Sequence, residues 1–394
     1  MNPFQNSCNT FHLHLYIYCT HKKAKALSLV HQIIDTIKKK NCNIFIMVCY
    51  SISVIAIVST FLAIYSLSLF LNSKAKNFNE VSLIGTNKGC DIYKGSWVLD
   101  ESYSLYNTST CPFIERSFDC QKNGRPDKDY YKYRWQPFGC NLLRFNGTEM
   151  LSKYKGKRIM FVGDSLGQNQ WLSLACMLHV AAPQANYSLD RIGKIYTFNI
   201  LEYNIWLLFH GNPLIVDIVT KKGSRVLHID SISFYNVWKE MDVLVFNTWH
   251  WWDRTGQKQT WNVIQEGNIT YRDMDRLELY TKGINTWAKW ADSNLNYTKT
   301  RVFFQGVSPD HEGCEGKIGP AKSPGIIHPG EIELEKALKT MSKSFVRLIN
   351  ITRLSQYRSD GHQSVYNNIL DCVHWCLPGV PDAWNQIFYH LLNS

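Results

Sequence analysis

The sequence predicts a three-layer α/β domain with a mostly parallel sheet, preceded by a cysteine-rich N-terminal subdomain and one N-terminal transmembrane helix. Three observations predict this. From about residue 151, short apolar runs of strand length alternate with longer stretches of helical spacing. Residues 90–150 are rich in cysteine and aromatics, punctuated by Gly, Pro and Asn, with little periodicity. Residues 44–71 form one uninterrupted apolar stretch.

The segments follow in chain order. Residues 1–43 read as a cytosolic tail without a core of their own. Residues 44–71 read as a transmembrane signal-anchor, since no charge occurs between Lys40 and Lys74 and the run exceeds the apolar part of a cleaved leader. Lys38, Lys39 and Lys40 precede it, which puts the N-terminus in the cytosol and the bulk of the chain in the lumen. Initiation at Met47 is the alternative; it would leave a shorter, cleavable leader. Residues 72–89 form a polar stem and residues 90–150 an irregular subdomain stapled by cysteines.

In the region 151–394, Lys157–Gly163, Asp242–Asn247 and Arg301–Gln305 read as buried parallel strands. Asn169–Leu178, Arg272–Trp290 and Glu331–Ile349 read as helices.

Composition narrows the function. Hydrophobic residues at 45% and charged residues at 19% describe a globular chain rather than a disordered one. Of the formal charge of +11, six lysines against one aspartate fall in the first 43 residues. The remainder holds no dense Lys/Arg stripe, so a nucleic-acid partner is not expected. The 13 Trp and 21 Tyr suit stacking on sugar rings, and equally suit a core.

Two features agree with a lumenal location. Six Asn-x-Ser/Thr sequons, at Asn107, Asn146, Asn186, Asn268, Asn296 and Asn350, all lie beyond the apolar segment. Eight of the 12 cysteines also follow it, an even number consistent with four disulfides in an oxidising compartment. No CxxC or HExxH motif is present, and no metal is expected.

Three local signals carry chemistry. Gly163-Asp164-Ser165 sits between a strand and a helix, where free N–H groups favour a developing anion. A serine there serves equally as a helix cap. Asp371-Cys372-Val373-His374 spaces a carboxylate and an imidazole three residues apart, which on a turn or helix lets them face the same way. Such an Asp fixes the tautomer of a His that deprotonates a Ser hydroxyl, itself a poor nucleophile. Asn247 ends a strand, so its amide can donate to an oxyanion or simply form a turn. Beside it, Trp249, Trp251 and Trp252 are candidate sugar-stacking residues, or partly core.

With these residues in view, the chain resembles the plant trichome birefringence-like proteins, cell-wall polysaccharide O-acetyltransferases. The resemblance spans residues 88–392. It is carried by Cys90-Asp91-Ile92-Tyr93-Lys94-Gly95-Ser96-Trp97-Val98, Cys111-Pro112-Phe113-Ile114, Gly124-Arg125-Pro126-Asp127 and Tyr133-Arg134-Trp135-Gln136-Pro137. It continues through Gly163-Asp164-Ser165-Leu166, Phe246-Asn247-Thr248, His250-Trp251-Trp252, Ser308-Pro309 with His311, and the run Asp371 to Asp382.

The resemblance implies an SGNH/GDSL-hydrolase-like fold with Ser165, Asp371 and His374 as a catalytic triad. Gly163, Asp164 and Asn247 support the oxyanion and active site. It implies a Golgi-membrane protein that moves acetyl from acetyl-CoA or a derived carrier, by way of an acetyl-serine, to xylan, mannan, xyloglucan or pectin. It further implies disulfides Cys90–Cys140, Cys111–Cys176, Cys120–Cys376 and Cys314–Cys372. Arg125 and Arg134 stand as polymer-carboxylate contacts or as structural ion pairs, and His311 as a substrate contact. Two positions depart from the family pattern. Gln168 and the Phe209-His210-Gly211 stretch each replace an arginine near the site mouth. His210 either restores part of that charge or is an ordinary surface histidine. The competing readings are a polysaccharide acetylesterase with the same triad and a non-catalytic wall-polymer-binding protein.

Overall fold

The computed structural model describes residues 90–233, 236–342, 345–365 and 370–394. The expected cytosolic tail, transmembrane segment and stem lie outside the described residues. Among the described residues no helix is long and apolar enough to cross a membrane.

The elements are β1 (Gly95–Leu99), β2 (Tyr133–Pro137), α1 (Gly147–Lys153), β3 (Arg158–Gly163), α2 (Ser165–Ala181), β4 (Tyr187–Ile192), β5 (Ile195–Ile200) and β6 (Ile205–Gly211). Next come β7 (Asp217–Lys221), β8 (Ser224–His228), β9 (Val243–Phe246), β10 (Val263–Glu266), β11 (Ile269–Tyr271), α3 (Arg276–Asn294) and β12 (Arg301–Gln305). The chain ends with α4 (Pro329–Thr340), β13 (Val346–Ile349), the single turn α5 (Thr352–Ser355), β14 (His362–Ser364), β15 (Asp371–Trp375) and α6 (Val380–Asn393).

The main sheet has seven strands in the order β13-β12-β9-β3-β6-β5-β4. The five from β13 to β6 run parallel, and the β4–β5 hairpin adds an antiparallel edge. Strict alternation of side chains explains the layering. Ile159 and Phe161 of β3, Val245 of β9 and Phe303 of β12 point to one side, where they meet Leu172 of α2 and Phe388 of α6. Met160, Val162, Phe246 and Phe304 point to the other, against Ile284 and Trp287 of α3 and Leu334 of α4. Both faces of the sheet are thus covered, as a parallel sheet requires.

One expectation needs correction. The helix expected over Glu331–Ile349 stops at Thr340, and Val346–Ile349 instead extends the sheet as β13, parallel to β12. Glu331 and Leu334 bury a helical face, but the Val346-Arg347-Leu348-Ile349 run is better suited to an edge strand. Also unforeseen was a second sheet, β11-β10-β8-β7, whose strands are only three to five residues long and mix apolar with polar side chains.

The cysteine-rich region contributes the β1–β2 pair. All four disulfides that the resemblance implies are present: Cys90–Cys140 closes a loop within this region, Cys314–Cys372 lies outside it, and the other two tie it down. Cys111–Cys176 fastens it to α2, and Cys120–Cys376 fastens it to the segment just after β15. Half-buried donors reinforce the joint: Trp97 Nε1 donates to Leu354 O and Tyr93 Oη to Leu348 O, each at 2.8 Å.

Candidate active site

Ser165 is the first residue of α2, directly beyond the carboxyl end of the central strand β3. The helix cap is its neighbour, not the serine: Asp164 Oδ1 accepts from Leu166 N at 2.9 Å. That leaves the Ser165 hydroxyl free for another partner. Gly163 and Gly167 are required by packing, because a Cβ at either would run into the Asn247 side chain. Asn247 Nδ2 in turn donates to Asp164 Oδ1 at 2.6 Å, so this amide braces the cap below the serine.

The base arrives from the far end of the chain. His374 Nε2 lies 2.7 Å from Ser165 Oγ, and His374 Nδ1 lies 2.7 Å from Asp371 Oδ2. The pair sits on strand β15, not on the expected turn or helix. Residues three apart on a regular strand face opposite ways. A bulge resolves this: His362 pairs with Trp375 and Ser364 with Asp371, so β15 carries extra residues between the two pairings. Asp371 Oδ1 holds the bend by accepting from both Val373 N and His374 N at 2.9 Å.

Burial raises the Asp371 carboxyl, but its bonds from His374 and the two backbone amides outweigh that and hold it well below the usual carboxylate range. An ionised Asp371 fixes the proton of His374 on Nδ1 and leaves Nε2 as acceptor for the serine hydroxyl. At the start of α2, Leu166 N donates to Asp164 Oδ1 and Gln168 N to Asp164 O; free N–H groups of a helix's first turn are of the kind that stabilises an oxyanion.

A shell of side chains that sequence reasoning missed holds β15 in register. Asn169, one turn beyond Ser165 on α2 and fully buried, accepts from Trp375 N at 2.9 Å and donates to Trp375 O at 3.2 Å. It therefore couples the helix that carries the nucleophile to the strand that carries the base. Trp375 Nε1 donates to Ser308 Oγ at 2.8 Å. His362 Nδ1 lies 3.0 Å from His374 O, and the His362 ring stacks on Trp375. Burial pushes His362 down to about 3, with His311 beside it adding to the effect, so the ring is neutral at ordinary pH.

Several candidate contacts fall elsewhere. Trp252 is fully buried, packs against Gly283 and donates from Nε1 to Thr248 Oγ1. Trp249 is 8% exposed, wedged between Tyr280, His328 and Gly330. Both are core, which leaves Trp251 as the partly open member of the three. Arg125 is buried: it pairs with Asp127, donates to His362 O at 3.0 Å and lies over Tyr130. Its role is structural. Arg134 is half-buried, bound to Asp100 and Gln136. His311 has both ring nitrogens engaged, at 2.7 Å from His362 Nε2 and 3.1 Å from Gln356 O. None of these three is a free substrate contact.

The two departures from the family pattern also resolve. His210 is buried and accepts from Trp238 Nε1 at 2.9 Å; burial, helped by Lys194, lowers it to about 4. It is neither a surface histidine nor a replacement cation. Gln168 donates to Glu115 Oε1 at 2.6 Å. Of the sequon asparagines, Asn350 is half-buried and the other five are exposed.

Comparison with known families and proteins agrees with this picture. Residues 142–391 match the GDSL/SGNH-like acyl-esterase family found in Pmr5 and Cas1p, and residues 88–141 match the PMR5 N-terminal domain. The chain is 50% identical over 323 residues to protein trichome birefringence-like 43 of Arabidopsis thaliana, covering 77% of this chain and 88% of that protein. It is 50% identical over 325 residues to trichome birefringence-like 41, covering 77% and 91%, and 44% identical over 332 residues to trichome birefringence-like 40, covering 80% and 91%, both of the same plant.

Proposed function

The chain belongs to the trichome birefringence-like family, and from that membership and the site geometry we propose that it transfers acetyl groups to hydroxyls of a plant cell-wall polysaccharide through an acetyl-serine on Ser165. The observation that carries the reading is the unbroken contact from Asp371 through His374 to Ser165, 2.7 Å at each step.

In the first half-reaction, His374 Nε2 takes the Ser165 proton while Oγ attacks the acetyl carbonyl. The oxyanion is met by N–H groups at the start of α2. The donor's leaving group departs with the proton from His374, and the acetyl ester remains on Ser165. In the second, a sugar hydroxyl gives its proton to His374 and attacks the ester carbon. Ser165 Oγ leaves and recovers its proton. Asp371 stays ionised throughout and stabilises the imidazolium that forms twice per cycle.

The donor class is acetyl-CoA or an acetyl carrier derived from it; the acceptor class is xylan, mannan, xyloglucan or pectin. Four disulfides and six sequons support a lumenal catalytic domain, which the apolar stretch 44–71 would anchor in the Golgi membrane. The test is to incubate the purified chain with an acetyl donor and a panel of oligosaccharides and to weigh the products. Acetylated oligosaccharide supports transfer. Release of acetate from pre-acetylated acceptors, with no transfer to any acceptor, identifies an acetylesterase instead.

A further inference from the structure

A groove of about 440 Å³ lies at the C-terminal end of α2. It is a wide, open depression rather than an enclosed pocket. Leu105, Phe145, Met177, Val180 and Ala181 give it an apolar wall, with Arg144 and Asn146 as its polar side chains. Met177 is twelve residues from Ser165, or about 18 Å along the helix axis, so this is not the catalytic site. Leu105 is 39% exposed, an apolar side chain left open to water on the groove wall.

At the edge of the groove stands Asn146, the asparagine of the sequon Asn146-Gly147-Thr148. Two features fix it there. Its Oδ1 caps α1 by accepting from Glu149 N at 3.1 Å. Gly147 packs so closely on α2 that a Cβ would meet the Ala181 methyl and the Phe145 ring. The capping bond uses only the oxygen. Nδ2, the atom that carries an N-linked sugar, makes no hydrogen bond among the described residues, and the residue is exposed. Asn186 contrasts with this, since its Nδ2 donates to Glu202 at 2.9 Å.

We propose that Asn146 carries an N-linked glycan whose first sugars lie in this groove and cover its apolar wall, tying the cysteine-rich region to α1 and α2. In the modification, Asn146 Nδ2 bonds to the anomeric carbon of a lipid-diphosphate-linked oligosaccharide. The bond from that carbon to the diphosphate breaks, the lipid diphosphate leaves with the electron pair, and the amide nitrogen loses a proton. The apolar face of the sugar ring then meets Leu105, Val180 and Ala181. Arg144, on the same wall, offers N–H groups to the ring hydroxyls. The cap at Asn146 survives, because glycosylation leaves Oδ1 free to accept.

The full chain is produced in a eukaryotic secretory host as wild type, Thr148→Ser and Thr148→Ala. Thr148→Ser keeps the sequon, and Thr148→Ala destroys it without touching the cap. Glycopeptide mass reads occupancy and thermal melting reads the contact. The expected result is a glycan at Asn146 in wild type and Thr148→Ser, with Thr148→Ala melting lower by about 2–4 °C. Leu105→Ser is then added to both backgrounds. It should lower the melting temperature more in the glycosylated chain than in Thr148→Ala. An unmodified Asn146, equal melting of the two Thr148 variants, or an equal effect of Leu105→Ser in both backgrounds overturns the proposal. None of these readouts depends on acetyl transfer.

Discussion

Asn169→Ala isolates the coupling between nucleophile and base. Asn169 makes both hydrogen bonds of the Trp375 backbone, one residue beyond His374, in a fully buried setting. Alanine leaves a buried N–H and a buried C=O without partners, at about 1–3 kcal/mol each. Melting should fall by roughly 5–10 °C. Stability alone is an insufficient readout, so a matched control is needed. Asn385 is equally buried and bridges α6 to α2 through Gln170 O and Ser173 Oγ, both at 2.9 Å. Asn385→Ala should cost similar stability without disturbing β15. The assay is turnover of a chromogenic acetate ester, with kcat and KM resolved separately. Asn169→Ala should lose about 10–100-fold in kcat beyond Asn385→Ala, with KM little changed, since a displacement of about 1 Å at the reacting groups has that effect. If Asn169→Ala is poorly folded, Asn169→Asp takes its place; it keeps the acceptor for Trp375 N–H and loses the donor. Equal kcat in the folded Asn169 and Asn385 variants refutes the reasoning.

Two other outcomes follow. Asp371→Asn should keep the fold and lose about a thousandfold or more in kcat, because the imidazole is no longer held in the reactive tautomer. Since Asp371 is ionised across the working range, the acid limb of the wild-type pH–rate profile should not trace to this carboxyl. Glu331→Gln should change the pH dependence of stability. Burial pushes Glu331 up to about 7, against the downward pull of Val307 N–H and the Thr352 hydroxyl. Between its unfolded value of about 4.3 and that value, the folded chain holds a proton that the unfolded chain releases. Stability from this group therefore falls as pH rises, with the full penalty, roughly 4 kcal/mol, present above about 7. The melting temperature of Glu331→Gln minus that of wild type should climb between about pH 5 and about pH 8; a flat difference counts against a buried, proton-holding Glu331.

The sequence was most legible where one segment carried its own signal. The runs Arg158–Gly163, Val243–Phe246 and Arg301–Gln305 are apolar on both faces because helices cover both sides of the sheet. Ser165, Asp371 and His374 stood out as residue types in a recognisable order. The β4–β5 hairpin and the second sheet were hidden, because β4 is almost wholly solvent-facing and β7 mostly so. The shell around β15 was hidden for a different reason. Asn169 acts on a backbone 206 residues away, so no local pattern marks it. Of the two readings open for the tryptophans, core holds for Trp249 and Trp252, which follow the end of β9 and turn inward against α3 and α4.

The most direct test of the central claim is to trap the intermediate. The purified chain is mixed with an acetyl donor in the absence of acceptor, quenched in acid, digested and mapped by mass. The account predicts one acetyl group on the peptide containing Ser165, lost on adding a polysaccharide acceptor and absent in His374→Ala. Acetylated product formed at the wild-type rate by Ser165→Ala, with no acetyl group on any Ser165 peptide, would contradict it.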